Sequence, residues 1–221
     1  LLAIVNFASY YPGEMTADSR DQLRQSLSWS FNNHHPALMA IVWGYLNKIS
    51  QGPQLMLLLH FCFLYLGISI TYLAFQKNSP LLALLFIPLP LIPGIKGNLM
   101  MIWKDIGFAC AFLLGISILI YHLIARKKLS LLSVIFVLLL FFYGGYIKFQ
   151  AQYILPLAIG FTFYAYYKFQ WKKAILATLM TVPLLYFCNQ SLLKFHNVQP
   201  KQSAYMREFF DLAGISVNEN K

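Results

Sequence analysis

The feature that most constrains this 221-residue chain is a series of apolar runs, each near 20 residues long and separated by short basic connections. A helix needs roughly 20 apolar residues to cross a bilayer's hydrocarbon core. Hydrophobic residues make up 59% of the sequence and charged residues 11%, where a soluble domain carries about 25% charged residues. Mean hydropathy is +0.60. The expected fold class is therefore all-α, a polytopic membrane protein. Reading each run to its breakers gives six full spans, at approximately 53–75, 81–95, 106–125, 129–146, 153–167 and 174–195. Pro88, Pro90 and Pro93 are expected to bend or break the second span near one end, because proline removes a helix donor and clashes with the preceding turn.

The run LLAIVNFAS is too short to span and carries no basic leader, so it reads as the outer end of a first span whose start is missing. With the abrupt GISVNENK end, the chain reads as a fragment. The expected organisation is a transmembrane domain over 1–196, with 10–52 as an outer loop, and the start of an outer C-terminal segment over 197–221. The run 35–50 is helical in pattern with polar flanks and reads as an interfacial helix along the membrane. Cys62, Cys110 and Cys188 lie in apolar runs without ligand spacing and read as packed thiols.

Charge gives the orientation. Lys77, Arg126, Lys127, Lys128, Lys168, Lys172 and Lys173 sit in three short connections that hold no acidic residue, and short basic loops face the cytoplasm. All seven acidic residues then fall on the opposite side, interspersed with the remaining Lys and Arg. That side receives 10–52, 96–105, 147–152 and the tail from 196, so three loops converge on one membrane surface.

The outer loop holds an unusual polar stretch from Tyr10 to Pro36, with Glu14, Asp18, Asp21, His34 and His35. Pro12-Gly13 marks a turn. Thr16 can cap a helix, and acids suit its first turn. Asp18 and Asp21 fit that structural role; either also fits a general base for an acceptor hydroxyl or amine. Helical spacing would bring Glu14, Asp18, Asp21 and Gln22 close together, with Arg20 on another side, free to meet a phosphate. His34 and His35 are adjacent and lack the i,i+4 spacing of helical zinc ligands, so they read as substrate-loop or structural groups rather than metal ligands. In the next outer loop, Lys96, Lys104 and Asp105 suit a lipid-phosphate headgroup: lysine supplies a point charge, and Asp105 either holds Lys104 or binds a divalent cation. Lys148 is a third outer cation, or a snorkelling anchor. His60 and His122 read as packing or interfacial residues. The sequence contains no phosphate-binding loop, dinucleotide fingerprint, H-E-x-x-H or G-x-S-x-G. The +10 charge is explained by loops and lipid headgroups without nucleic acid.

Three short motifs, YPG-x-x-x-x-D-S-x-x-Q from Tyr11 to Gln22, F-x-x-x-H-P-x-L from Phe31 to Leu38, and W-K-D from Trp103 to Asp105, resemble those of multi-span glycosyltransferases of the GT-C fold. That group uses polyprenyl-phosphate sugars and includes protein O-mannosyltransferases and lipid A aminoarabinose transferases. The resemblance covers roughly residues 6–152. It implies an essential acid in the first outer loop at Asp18, one or two helices along the outer leaflet over about 17–50, and a functional acid or base in the second outer loop at Lys104 and Asp105. The chain departs from the group's pattern where Ser19 follows Asp18, where His35-Pro36-Ala37 replaces H-P-P, and where Lys148 stands for an expected arginine.

The expectation is a membrane glycosyltransferase that moves a sugar from a polyprenyl-phosphate carrier to a glycan, lipid or protein acceptor. Its site would face the periplasm or outside of a bacterial inner membrane, among membrane lipids. Asp18 would be the base and Asp105 a catalytic partner, with Arg20, Asp21, His35, Lys96, Lys104 and Lys148 binding substrate. A transporter or flippase of a lipid-linked sugar is the rival, since the same basic loops would grip phosphate. A catalytically inactive scaffold is a third reading.

Overall fold

A computed structural model describes residues 2–200. Among them are ten α-helices and no strand longer than an isolated bridge. They are α1 (Leu2–Tyr10), α2 (Ala17–Ser28), α3 (Leu38–Asn47), α4 (Gln54–Phe75), α5 (Pro80–Phe86), α6 (Pro93–Leu99), α7 (Lys104–Ile124), α8 (Leu131–Tyr146), α9 (Leu155–Tyr166) and α10 (Trp171–Phe195).

The centre of the bundle is the packing of α4 on α7. The two helices approach closely because glycine stands at the contacts. A Cβ on Gly67 would lie 3.2 Å from the Leu114 backbone nitrogen, and one on Gly107 would lie 2.6 Å from His60 Nε2. Thr71 and Ser117 share a hydrogen bond of 2.7 Å further along. Residue numbers rise together along the seam, from 60 with 107 to 71 with 117, so the helices are parallel. The chain between them must return the length of the bundle.

That return is α5, a 3-10 turn at Leu89–Leu91, and α6, with a 55° bend at the break. Pro88, Pro90 and Pro93 cause the break, as expected from sequence. Phe86 stacks on Phe75 at one end of the bundle, 5.8 Å between centroids. At the other end the Met100 carbonyl accepts from Glu14 N at 2.8 Å. The segment is thus a broken traverse rather than a re-entrant turn.

α8 runs antiparallel to α7, with Phe112 against Gly144 and Phe141 against Gly115. α9 returns beside α8, and α10 runs back beside α9. Only Ala174 and Asn189 of α10 are buried, so this helix is uncovered along most of its length. Beyond it, Gln199 bridges to the loop after α2: Gln199 N donates to the Phe31 carbonyl at 2.9 Å, and Asn33 N donates to the Gln199 carbonyl at 3.1 Å.

Three helices, α4, α7 and α10, are long and apolar enough to cross a membrane, and the broken pair makes four. Where the sequence reading places further spans at 129–146 and 153–167, the structure has the apolar helices α8 and α9, which are shorter than that length. At 1.5 Å per residue, α8 is about 24 Å long and α9 about 18 Å, against a hydrocarbon core of about 30 Å. α9 follows a 3-10 turn at Phe149–Tyr153 and carries Pro156 in its first turn. It ends where Lys168 and Phe169 adopt left-handed backbone, φ 51° and 69°. Within 35–50 the structure has α3, shorter than that run, with seven of its ten residues buried between α2 and the bundle. Cys110 is buried as expected, but Cys62 and Cys188 are exposed: their runs turn outward there. His60 is buried, with Nε2 3.0 Å from the Tyr143 hydroxyl.

Replacing Gly107 by Ala gains intrinsic helix propensity but drives a methyl into His60 and the Ile147 side chain, 2.9 Å away. Overpacking typically costs about 1–3 kcal/mol. Gly97 has open space around it and gains up to about 1 kcal/mol from the same change. Thermal unfolding in detergent is expected to show Gly107→Ala destabilised and Gly97→Ala unchanged or more stable; equal effects would mean the α4–α7 seam is not tightly packed.

Candidate functional site

Local turns carry the polar loop onto the start of α7. Gly13 has φ +104°, and a Cβ there would lie 2.7 Å from the Ile102 side chain. Glycine therefore lets the chain lie flat on residues 100–102. Glu14 and Met101 form a parallel bridge, completed by Ile102 N donating to the Glu14 carbonyl at 2.9 Å. Thr16 caps α2, accepting from Ser19 N at 3.3 Å. The Ser19 hydroxyl donates to the Ile102 carbonyl. These bonds fix the first turn of α2, with Asp18, beside Lys104.

His35 comes from the loop after α2, and that loop is also tied down. Gln25 Nε2 donates to Asp21 at 2.8 Å, Asn32 N donates to Gln25 Oε1 at 2.9 Å, and His34 N donates to Asn32 Oδ1 at 3.0 Å. Asp21, expected to bind substrate, anchors this chain of bonds and lies 3.7 Å from Arg24.

The result is a closed ring of three side chains. Lys104 Nζ lies 3.2 Å from Asp18 Oδ2 and 3.0 Å from His35 Nδ1. His35 Nε2 lies 3.5 Å from Asp18 Oδ1. Because the ammonium can only donate, His35 Nδ1 accepts and the ring proton sits on Nε2, facing the carboxylate. The side chains of His35 and Lys104 are 15% and 21% exposed, and that of Asp18 is 45% exposed, so the carboxylate is the open side. A second pair lies alongside: Lys148 donates to Asp105, and its ammonium sits 5.7 Å above the Phe108 ring.

Several sequence expectations change here. Asp105 does not orient Lys104. Successive helical residues point about 100° apart, so Lys104 turns to Asp18 while Asp105 turns to Lys148. Glu14 lies ahead of α2, not on it, and is held by its backbone. Arg20 and Lys96 are exposed and make no ion pair among the described residues; neither joins the ring. Sequence reading gives Pro12-Gly13 as a turn but misses its contact with Ile102, and it misses the anchoring roles of Ser19 and Gln25. Of these only Gln25, four residues after Asp21, carried a helical-spacing signal. Among the described residues no arrangement fits a divalent cation. Both candidate carboxylates hold lysines, and no group of three or more His, Cys, Asp or Glu gathers among the described residues.

The electrostatics follow from the ring. Partial burial pushes the Asp18 carboxyl up, but His35, the Lys104 hydrogen bond and charge, and His34 together outweigh it and hold the group below its usual range. Burial pushes His35 down, as do Lys104 and His34; Asp18 and Asp21 oppose them without prevailing. His35 is therefore neutral at pH 7, as its acceptor Nδ1 requires. Its folded pKa lies below the unfolded value near 6.5, so the folded chain binds fewer protons just under that pH. The corresponding stability is present above pH 6.5 and is lost as pH falls through the folded pKa. Asp18 behaves likewise below about pH 4.

Removing the Lys104 charge in Lys104→Met is expected to raise the His35 pKa, and removing the carboxylate charge in Asp18→Asn to lower it further. Histidine-labelled NMR titration reads both, and no change in either variant would mean that the ring is not formed. No family model, curated protein or solved structure matches this chain.

Proposed function

We propose that this chain is the membrane part of a glycosyltransferase of the GT-C type, taking a sugar from a polyprenyl-phosphate carrier and passing it to an acceptor outside the cytoplasm. The observation that carries the reading is the Asp18–His35–Lys104 ring: a half-exposed carboxylate and a mostly covered ammonium, at one end of an apolar bundle. Six segments run between the ends of that bundle, and six membrane crossings fit the reading, with α8 and α9 drawing on flanking residues. The seven basic connection residues would face the cytoplasm of a bacterial inner membrane.

In this mechanism the acceptor hydroxyl attacks the anomeric carbon as the bond from that carbon to the phosphate oxygen breaks. The electron pair leaves with the lipid phosphate, and the hydroxyl proton passes to Asp18. Lys104 meets the negative charge that develops on the leaving oxygen. Lys148 and Asp105 fix the neighbouring turn of α7 and supply a second cation at the headgroup level. Arg20 and Lys96, exposed and without an ion pair among the described residues, gather anionic lipid from further out.

The broken traverse between α5 and α6 favours a second reading, a flippase or transporter of a lipid-linked sugar, since discontinuous helices line substrate paths in many transporters. Turnover separates the two. The full chain is incubated with radiolabelled polyprenyl-phosphate sugars and the label followed into acceptor or water. The glycosyltransferase reading expects loss of label from the lipid in wild type and a drop of about 10²- to 10⁴-fold in Asp18→Asn, the usual range for a general base. Lipid binding without turnover favours the transporter. Full activity in folded Asp18→Asn and Lys104→Met rejects the assignment of both residues.

A further inference from the structure

Lys104 is the shared member of the ring. One ammonium serves both the Asp18 carboxylate, at 3.2 Å, and His35 Nδ1, at 3.0 Å. Both of its partners are acceptors, and an anion with several oxygens offers a better one. Two further polar atoms on the residues around Asp18 are without partners among the described residues. Gln22, one helical turn along α2, is 2% exposed, and its Nε2 has no hydrogen-bond partner. His34, whose ring lies 4.6 Å from that of His35, has an unpartnered Nδ1. A buried amide N–H without a partner is unfavourable, so an unmet donor on the turn of α2 that follows Asp18 invites a ligand acceptor. Lys104 itself opens α7, and Trp103 provides no side-chain cap there, which leaves the first-turn N–H groups uncapped by a side chain.

We propose that a phosphate anion opens the ring: it takes Lys104 from Asp18 and His35, and the released Asp18 becomes the proton acceptor only once phosphate is in place. The proposal rests on the lipid-phosphate reading above and adds an order to it, phosphate first and acceptor hydroxyl second. While Lys104 holds Asp18, the carboxylate is a weak base. Phosphate removes the hydrogen bond and offsets the ammonium charge, so the carboxylate becomes more basic where and when the donor is bound. His35 reports the exchange. The groups that act on it are Asp18 and Asp21 from α2, Lys104 from α7 and the neighbouring His34. Of these only Lys104 is drawn away by phosphate, and losing its repulsion raises the affinity of His35 for protons.

The test follows the His35 resonance, assigned with His35→Gln, in the ¹⁵N-histidine-labelled full chain in lipid nanodiscs. Its pH titration is recorded with decyl phosphate, with inorganic phosphate and with decanol. Decyl phosphate is expected to raise the His35 midpoint by on the order of one pH unit, and decanol to leave it in place. A shift with decyl phosphate alone identifies a lipid headgroup as the ligand; an equal shift with inorganic phosphate means that the free anion suffices. Lys104→Met is expected to start with the higher midpoint and to gain nothing from either phosphate, with Lys104→Gln as a second variant; the wild-type titrations decide the matter if neither folds. The proposal is overturned if decyl phosphate fails to bind, if it binds without moving His35, or if it moves His35 equally in the Lys104 variants. A His35 shift without sugar transfer leaves the exchange standing and removes the glycosyltransferase reading. Transfer without a shift does the reverse.

Discussion

The parallel contact between α4 and α7 is the constraint from which the rest follows. Two parallel neighbours cannot be joined by a short turn, so the chain has to run back between them, and the prolines let it do so as a broken traverse. That return delivers residues 100–102 to the same end as the turn after α1, where Glu14 and Ser19 bond to them. Lys104 then begins α7 within reach of Asp18. Glycine at positions 67 and 107 makes the contact close enough; the site at the polar end inherits its geometry from packing in the apolar middle.

Charge compensation at that end is local and partial. Lys104 is met by Asp18, Lys148 by Asp105 and the exposed Arg24 by Asp21, while Arg20 and Lys96 make no ion pair among the described residues. The two partly covered lysine pairs hold their geometry because each group would be poorly solvated alone. They also make the ring responsive: its three members trade one ammonium, so an added anion redistributes all of the contacts rather than one.

Much of the architecture was legible in the sequence. The apolar runs locate the long helices, the prolines foretell the broken segment, and the polar stretch with Asp18 and His35 falls where the ring forms. The bounds of α8 and α9 also fall within two residues of the runs at 129–146 and 153–167. The partner of Lys104 was not legible, because it depends on which way α7 is turned about its axis. Adjacent Lys104 and Asp105 look like a pair in sequence, yet the helix points them to different neighbours, and only tertiary packing sets that rotation.

The bridge between Gln199 and residues 31–33 joins the least covered helix of the bundle to the loop that ends in His35. α10 rests on α9 along one side and is open on the others. Its end is nonetheless held to the polar loop by the bonds of Gln199 to Phe31 and Asn33, so the chain's last described residues brace the loop that ends in His35, and segments far apart in the sequence share one polar surface.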